Sequence, residues 1–174
     1  MTADSVAVRR RSEQDLDGCV RLLRLVHDED GYPRNWPSSP LTWLTPDDQV
    51  AAWVADDGEQ LLGHIAVAEP DASPATAVWS TALEVSPAAL LRISLLFVAP
   101  FARGRGLGGR LLDTAVRFVG DRGAQPVLEV VSSDRGAVAL YTRLGWRQVG
   151  RLRPEWLPPP DRALLFVAPE QSAT

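Results

Sequence analysis

Apolar residues recur along the chain at two spacings, one typical of helices and one typical of strands. A helical spacing follows Ser12, which has Asp15 three residues later in the manner of a capping box. This spacing predicts a helix that runs to about His27. Its apolar positions are Leu16, Cys19, Val20, Leu23 and Val26.

Further helices and strands follow from the same patterns and from turn signals. Short apolar or alternating runs predict seven strands, at 5–11, 51–55, 60–68, 91–98, 127–132, 146–152 and 163–168. Helices are predicted near 46–50, over 107–121, and from a cap at Asp134 to a left-handed end at Gly145. Residues 75–83 add one or two helical turns. The order β-α-α-β-β-β-α-β-α-β-β predicts a mixed α/β fold.

Composition sets the broad class of the protein. A chain of 174 residues with 45% hydrophobic and 23% charged residues predicts one globular domain over 1–174. The net charge of −4 argues against nucleic acid as the main partner. No apolar run is long enough to cross a membrane, and residues 1–20 carry no signal-peptide pattern. The single cysteine, Cys19, fits a reducing cytoplasm and predicts a buried residue.

The segment from Ile93 to Gly109 joins an apolar run, a Pro, a short loop of Arg and Gly, and the start of an amphipathic helix. Glycine lets the main chain approach a ligand closely, and N–H groups at a helix N-terminus favour phosphate oxygens. The segment therefore predicts a diphosphate-binding loop. A β-to-α turn without a ligand is the alternative.

Three phosphate-binding motifs compete for this loop. A P-loop requires a Lys, and the chain contains none, so that motif is excluded. Gly104, Gly106 and Gly109 match the dinucleotide pattern Gly-x-Gly-x-x-Gly, which keeps a nucleotide-binding oxidoreductase as an alternative. Arg103, Gly106 and Gly108 match a third pattern, Arg/Gln-x-x-Gly-x-Gly/Ala.

The third pattern resembles the coenzyme A pyrophosphate loop of the GNAT superfamily of N-acetyltransferases. A second stretch, 128–146, is similar to another signature of that family, with Ala137, Tyr141, Leu144 and Gly145 in register, Trp146 in place of Phe and Asp134 in place of Asn. The resemblance implies a central mixed β-sheet that is splayed between its fourth and fifth strands and flanked by helices. Asp134 can cap a helix but cannot donate a hydrogen bond to a pantetheine arm.

The resemblance also implies a function, an acetyl-CoA-dependent N-acetyltransferase that needs no metal. The acceptor would be a primary amine of a small molecule or a peptide N-terminus, which attacks the thioester directly. The cofactor-binding residues implied are Leu96, Phe97, Val98, Arg103, Gly104, Arg105, Gly106, Leu107, Gly108, Gly109, Asp134 and Tyr141. A catalytically weak domain that serves as an acyl-CoA sensor or interaction module is the alternative.

Two residues are implied as catalytic. Tyr141 would protonate the departing thiolate, although its place on an apolar helix stripe also fits simple packing. Glu129 lies mid-strand where related ribosomal-protein N-terminal acetyltransferases have a general base, and an exposed or Arg-paired glutamate is the alternative. No base is present over 91–94, where other branches have one. His64, Glu84 or a relaying water remain as substitutes for Glu129.

Aromatic and acidic residues lie in the loops that form the acceptor pocket in the superfamily. A cationic amine suits such a pocket, although packing explains scattered Trp residues equally well. The acceptor candidates are Tyr32, Trp36, Trp43, Trp156, Asp28, Glu29 and Asp30. A homodimer is also expected, because the sheet edges formed by the last strands tend to pair or be covered.

Overall fold

A computed structural model describes residues 5–170 of the chain. Seven strands form one mixed sheet in the order β1-β2-β3-β4-β5-β7-β6, in which β4 and β5 run parallel. The strands are β1 Ala7–Arg10, β2 Gln49–Asp56, β3 Leu61–Ala68, β4 Leu90–Val98, β5 Gln125–Val131, β6 Arg147–Leu152 and β7 Ala163–Val167. All seven predicted strands are therefore confirmed, with ends that shift by one to a few residues.

Five α-helices accompany the sheet: α1 Leu16–Asp30, α2 Pro40–Leu44, α3 Pro74–Leu83, α4 Leu107–Gly120 and α5 Arg135–Arg143. Helix α1 follows a short 3-10 turn at Glu13–Asp15, where the Asp15 carboxylate accepts hydrogen bonds from the N–H and hydroxyl of Ser12. Helix α5 has its predicted cap, since Asp134 accepts from the N–H of Ala137 at 3.1 Å. Gly145, with a φ of 85°, follows its end as expected.

One predicted helix is wrong. Residues 46–50 hold a turn and the start of β2, and the short helix α2 lies earlier, at Pro40–Leu44. Ser39 caps α2 by accepting from the N–H of Thr42, and Pro40 takes the first helical position, where its missing N–H costs nothing. In the described range 5–170, no helix is long and apolar enough to span a membrane.

The chain divides into two compact units. The first comprises residues 1–68, as far as they are described, together with Ser94–Ala115. It contains the antiparallel strands β1, β2 and β3, helices α1 and α2, the last half of β4 and the first half of α4. Helix α1 buries Cys19, Leu22, Leu23 and Val26. The prediction of a buried Cys19 is confirmed.

The second unit comprises Glu69–Ile93 and the described residues from Val116 to 170. Its core is made by α3 and one face of the sheet, through Ala75, Trp79, Leu90, Val127, Leu165 and Val167. The parallel ladder between β4 and β5 covers Leu90–Ile93 against Gln125–Leu128, and both strands continue beyond it. Strand β7 pairs antiparallel with both β5 and β6, which leaves β6 at the edge.

Candidate active site

The last residues of β4 present their main chain in a defined direction. The carbonyl oxygen of Leu95 lies 2.9 Å from Nδ1 of His64 on β3. The carbonyl oxygen of Phe97 also faces β3, since a Cβ added to Gly63 would lie 3.4 Å from it. In a trans peptide the N–H points opposite to the C=O. The N–H groups of Leu96 and Val98 therefore point away from β3.

Arg103 stabilises the loop that follows β4. Its Nη1 donates to Oδ1 of Asp30 at 3.1 Å, its Nη2 donates to Oδ2 of the same carboxylate, and Nη2 also donates to the carbonyl of Val98 at 3.2 Å. Its N–H donates to the carbonyl of Pro100 at 3.4 Å, which closes a 3-10 turn over Pro100–Ala102. Both terminal nitrogens of the Arg103 guanidinium and its main-chain N–H thus have partners within the protein. The predicted contact of Arg103 with a diphosphate stays a prediction.

The loop leads into the N-terminus of α4 through two glycines with left-handed backbone, Gly104 with a φ of 77° and Gly106 with a φ of 75°. The first helical hydrogen bond runs from the N–H of Arg110 to the carbonyl of Gly106. The N–H groups of Leu107, Gly108 and Gly109 precede that bond and belong to the first turn. A Cβ at Gly104, Gly106 or Gly109 would meet no atom within 4 Å.

That open, N–H-lined turn fits a diphosphate, because helix dipole and N–H groups both favour anionic oxygens. The chain therefore has residues able to hold coenzyme A at this loop. Arg105 lies exposed beside it. In the described range, no group of three His, Cys, Asp or Glu side chains is arranged to bind a metal ion.

Tyr141, on α5 in the second unit, is 6% exposed. Its ring packs against Trp146 and Phe166, with centroids 6.0 Å apart in each pair. Burial, with a smaller contribution from the charge of Asp134, raises the pKa of the phenol. The phenol is therefore held protonated at neutral pH, as a proton donor must be.

Glu129, on β5, is exposed to solvent. Two charged groups, Arg92 and Asp71, shift the pKa of its carboxyl. Partial removal of water by the surrounding protein raises the pKa of its carboxyl. The positive charge of Arg92 lowers that pKa, and the negative charge of Asp71 raises it again. Arg92 and Asp71 also form an ion pair, with Nη1 of Arg92 3.5 Å from Oδ2 of Asp71. A carboxylate with a raised pKa is a better proton acceptor near neutral pH than an ordinary glutamate.

The two residues that could replace Glu129 as general base, His64 and Glu84, are in positions unfavourable for that role. His64 is fully buried, and both of its ring nitrogens have partners, Leu95 and Arg11. Burial lowers its pKa to about 4, so it is a weak base with no free lone pair. Glu84 is exposed and ends α3 in a left-handed conformation, with a φ of 55°.

The acceptor candidates divide into three groups. Trp36 has the guanidinium of Arg24 3.6 Å from its ring centroid, so a cation of the chain already covers it. Asp30 is paired with Arg103. Tyr32 instead lies in an aromatic row, 6.1 Å from Trp43 and 6.2 Å from Phe97. Asp28, Glu29 and Trp156 are exposed, Trp156 in the second unit.

Three functional residues were not predicted from the sequence. Arg11 contacts His64, and the charges of Asp71 and Arg92 shift the pKa of Glu129. Each of them is distant in sequence from the residue it affects. Arg11 and His64, for example, are 53 residues apart. The only signal was the unusual placement of charged residues beside or within predicted strands.

Comparison with known proteins decides the family. The sequence profile described as "Acetyltransferase (GNAT) family" matches residues 19–146, well over half of the chain. The chain belongs to the GNAT acetyltransferase family. One relative of this GNAT chain is "Uncharacterized N-acetyltransferase MJ1207" of Methanocaldococcus jannaschii, 27% identical over 81% of the chain and 60% of the relative. The chain spans between 32% and 60% of the length of the curated relatives it matches.

Solved structures confirm the fold. Arabidopsis thaliana NAA60 in complex with acetyl-CoA has a TM-score of 0.70 and 22% identity, with 94% of this GNAT chain and 97% of the other covered. The ribosomal-protein-S18-alanine N-acetyltransferase of Escherichia coli has a TM-score of 0.68 and 18% identity, with 97% and 96% covered. The predicted α/β mixed-sheet GNAT fold is thus correct.

Proposed function

We propose that this GNAT chain is an acetyl-CoA-dependent N-acetyltransferase that acts on a primary amine of a small molecule or a peptide N-terminus. The observation that carries the proposal is the main chain from Leu96 to Gly109. Two N–H groups point away from β3, at Leu96 and Val98, and the first turn of α4 follows after the Gly104–Gly106 loop.

The main chain from Leu96 to Gly109 would bind the cofactor. Acetyl-CoA, when bound, supplies an acetyl thioester whose carbonyl carbon the amine attacks. The N–H groups of Leu107, Gly108 and Gly109 would donate to the diphosphate. The main chain of Leu96–Val98 would pair with the pantetheine arm as a neighbouring strand does, and one of its N–H groups would polarise the thioester oxygen.

Glu129 and Tyr141 would supply the proton transfers. Glu129 would accept a proton from the acceptor ammonium, so that the amine nitrogen has a lone pair for attack. As the C–N bond forms and the C–S bond breaks, Tyr141 would donate its phenolic proton to the departing sulfur. The resulting phenolate would take up the second proton that the nitrogen loses as it becomes an amide. The raised pKa of Glu129 supports its role, because it makes the carboxylate a stronger base. The raised pKa of Tyr141 keeps the phenol protonated before transfer and also makes it a weaker acid.

Release of free thiol from acetyl-CoA tests the proposal. We would compare α-amino peptides, amino acids, diamines and aminoglycosides as acceptors, with buffer alone as the control. The proposal expects amine-dependent thiol release with at least one class. Stabilisation by CoA with no release on any amine would contradict it and support the acyl-CoA sensor. A chain that NAD(H) stabilises and CoA does not would support the oxidoreductase.

Two further features stay predictions. A homodimer would use the sheet edge at β6, and sedimentation at micromolar concentration tests it, since a monomer there would contradict it. A cytoplasmic location rests on the single Cys19, which is buried.

A further inference from the structure

Strand β4 contains a residue in a conformation that its side chain disfavours. Leu95 has a φ of 55°, in the left-handed region that glycine occupies without strain. A leucine persists there only when surrounding contacts hold it.

The pair of the buried His64 and the half-buried Arg11 makes one such contact. Arg11 Nη1 lies 2.9 Å from Nε2 of His64, and Nδ1 of His64 lies 2.9 Å from the Leu95 carbonyl oxygen. Because a guanidinium only donates, Nε2 must accept, and the ring proton must lie on Nδ1. His64 is therefore a neutral ring that donates to Leu95.

Arg11 is itself held in place. Its Nη1 also donates to the Leu44 carbonyl at 2.9 Å, and its Nη2 donates to Oε1 of Gln49 at 2.6 Å. The His64 ring stacks on Phe97, with centroids 5.0 Å apart and planes at 13°. These contacts fix both the tautomer of His64 and the orientation of its ring.

The direction of one peptide group follows from this arrangement. The Leu95 carbonyl is directed at His64, so the Leu96 N–H, on the same peptide plane, is directed away from β3. We infer that His64, oriented by Arg11, is a positioning residue that aims the Leu96 N–H at the thioester oxygen of acetyl-CoA. The inference rests on the proposed function and adds which N–H polarises the thioester and what holds it.

A matched pair of variants tests this inference. His64→Asn places an amide donor close to the position of Nδ1, whereas His64→Leu has almost the same shape and no donor. Both lose the ring and its stacking on Phe97, so any difference between them reports the hydrogen bond to Leu95. The probe is acetyl-CoA with a ¹³C-labelled thioester carbonyl, and the readout is the infrared band of that carbonyl.

We expect the band of bound acetyl-CoA to shift to lower frequency in the parent protein and in His64→Asn, and to return toward its free position in His64→Leu. With an active acceptor, the kcat of His64→Leu should fall about tenfold below that of His64→Asn, a fraction of the loss of an oxyanion donor. The KM for acetyl-CoA should change less. Equal bands and equal kcat in the two variants would overturn the inference.

The outcomes separate this inference from the proposed function. No binding of acetyl-CoA to the parent protein contradicts both, whereas binding with equal bands contradicts only the role of His64. If His64→Leu does not fold, amide hydrogen exchange in the parent protein decides. The Leu96 N–H should exchange more slowly with acetyl-CoA than with CoA, and equal exchange would overturn the inference.

Discussion

The guanidinium of Arg103 and the carboxylate of Asp30 form a two-pronged ion pair across 73 residues of sequence, with Nη1 and Oδ1 3.1 Å apart. The pair ties the last residue of α1 to the loop that precedes α4. Both side chains are about two-fifths exposed, at 43% and 38%, so the pair adds little to global stability. Its importance lies in the shape of the loop.

A double-mutant cycle tests how Arg103 acts. If Arg103 shapes the loop through Asp30, Arg103→Ala and Asp30→Asn should each weaken CoA binding, and the double variant should be no worse than Arg103→Ala. Titration calorimetry with CoA measures the three affinities. Unchanged binding in Asp30→Asn, with a large loss in Arg103→Ala, would instead indicate direct contact between Arg103 and phosphate.

Replacing Gly106 tests the diphosphate loop. Gly106→Ala should weaken CoA binding about tenfold or more, because a Cβ blocks close approach of the main chain and strains the left-handed backbone. Gly58→Ala is the control, since Gly58 also has a positive φ, 91°, and an added Cβ there would meet no atom within 4 Å. Similar thermal destabilisation in both, with CoA affinity lost only in Gly106→Ala, is the expected result. Equal CoA affinity in the two variants would exclude this loop as the site.

Much of the fold was predictable because its signals are local. Apolar spacing, the Asp134 cap and the Gly145 end each act within a few residues, and the structure confirms them. The helix predicted near 46–50 was wrong because the helix starts earlier, where Ser39 caps it and Pro40 occupies its first position. The contact between His64 and Leu95 was not predictable, since it joins residues 31 positions apart. The effect of Arg92 on the pKa of Glu129 was not predictable either, because it depends on the register between β4 and β5.

Replacing the two charged neighbours of Glu129, Arg92 and Asp71, should shift the acid limb of the pH–rate profile in opposite directions. Arg92 lowers the pKa of Glu129, so Arg92→Gln should move that limb to higher pH. Asp71 raises it, so Asp71→Asn should move the limb to lower pH, while the asparagine side chain can still accept from the N–H of Ser73. The dependence of kcat/KM on pH measures both shifts.

Glu129→Gln completes this series. It should lose most of the rate near neutral pH and recover as pH rises, because more of the amine is then already neutral. A parental pH profile in all three variants would remove Glu129 from the mechanism.

Tyr141→Phe separates chemistry from packing. The change keeps the ring against Trp146 and Phe166 and deletes only the hydroxyl. Folding and CoA affinity should therefore change little, while kcat falls by roughly 10²-fold. Thermal unfolding and CoA titration check the first expectation, and a fully active variant would leave Tyr141 as a packing residue only.

Acid stability depends on Asp15. Its hydrogen bonds with Arg9, at 2.8 Å, lower the pKa of the carboxyl below the ordinary aspartate range. The ionised form is therefore favoured in the folded state, so its contribution is complete above the unfolded pKa and is lost as pH falls through the folded pKa. Asp15→Asn should reduce the free energy of unfolding by about 1–2 kcal/mol at neutral pH.

Denaturant unfolding at several pH values measures this difference, which should shrink steadily below about pH 4, the ordinary range for aspartate. Glu13→Gln, at an exposed neighbouring position, is the control. A difference between Asp15→Asn and the parent that stays constant down to strong acid would contradict the assignment.

Transfer of a labelled acetyl group is the direct test of the proposed N-acetyltransferase activity. The protein would be incubated with acetyl-CoA carrying a ¹³C acetyl group and an excess of each acceptor class, and the products would be analysed by mass spectrometry and ¹³C NMR. We predict that the label moves to an amide on a primary amine and that one equivalent of free CoA is released. Acetyl-CoA that binds the protein but keeps its label in the thioester, with every amine unmodified, would contradict it.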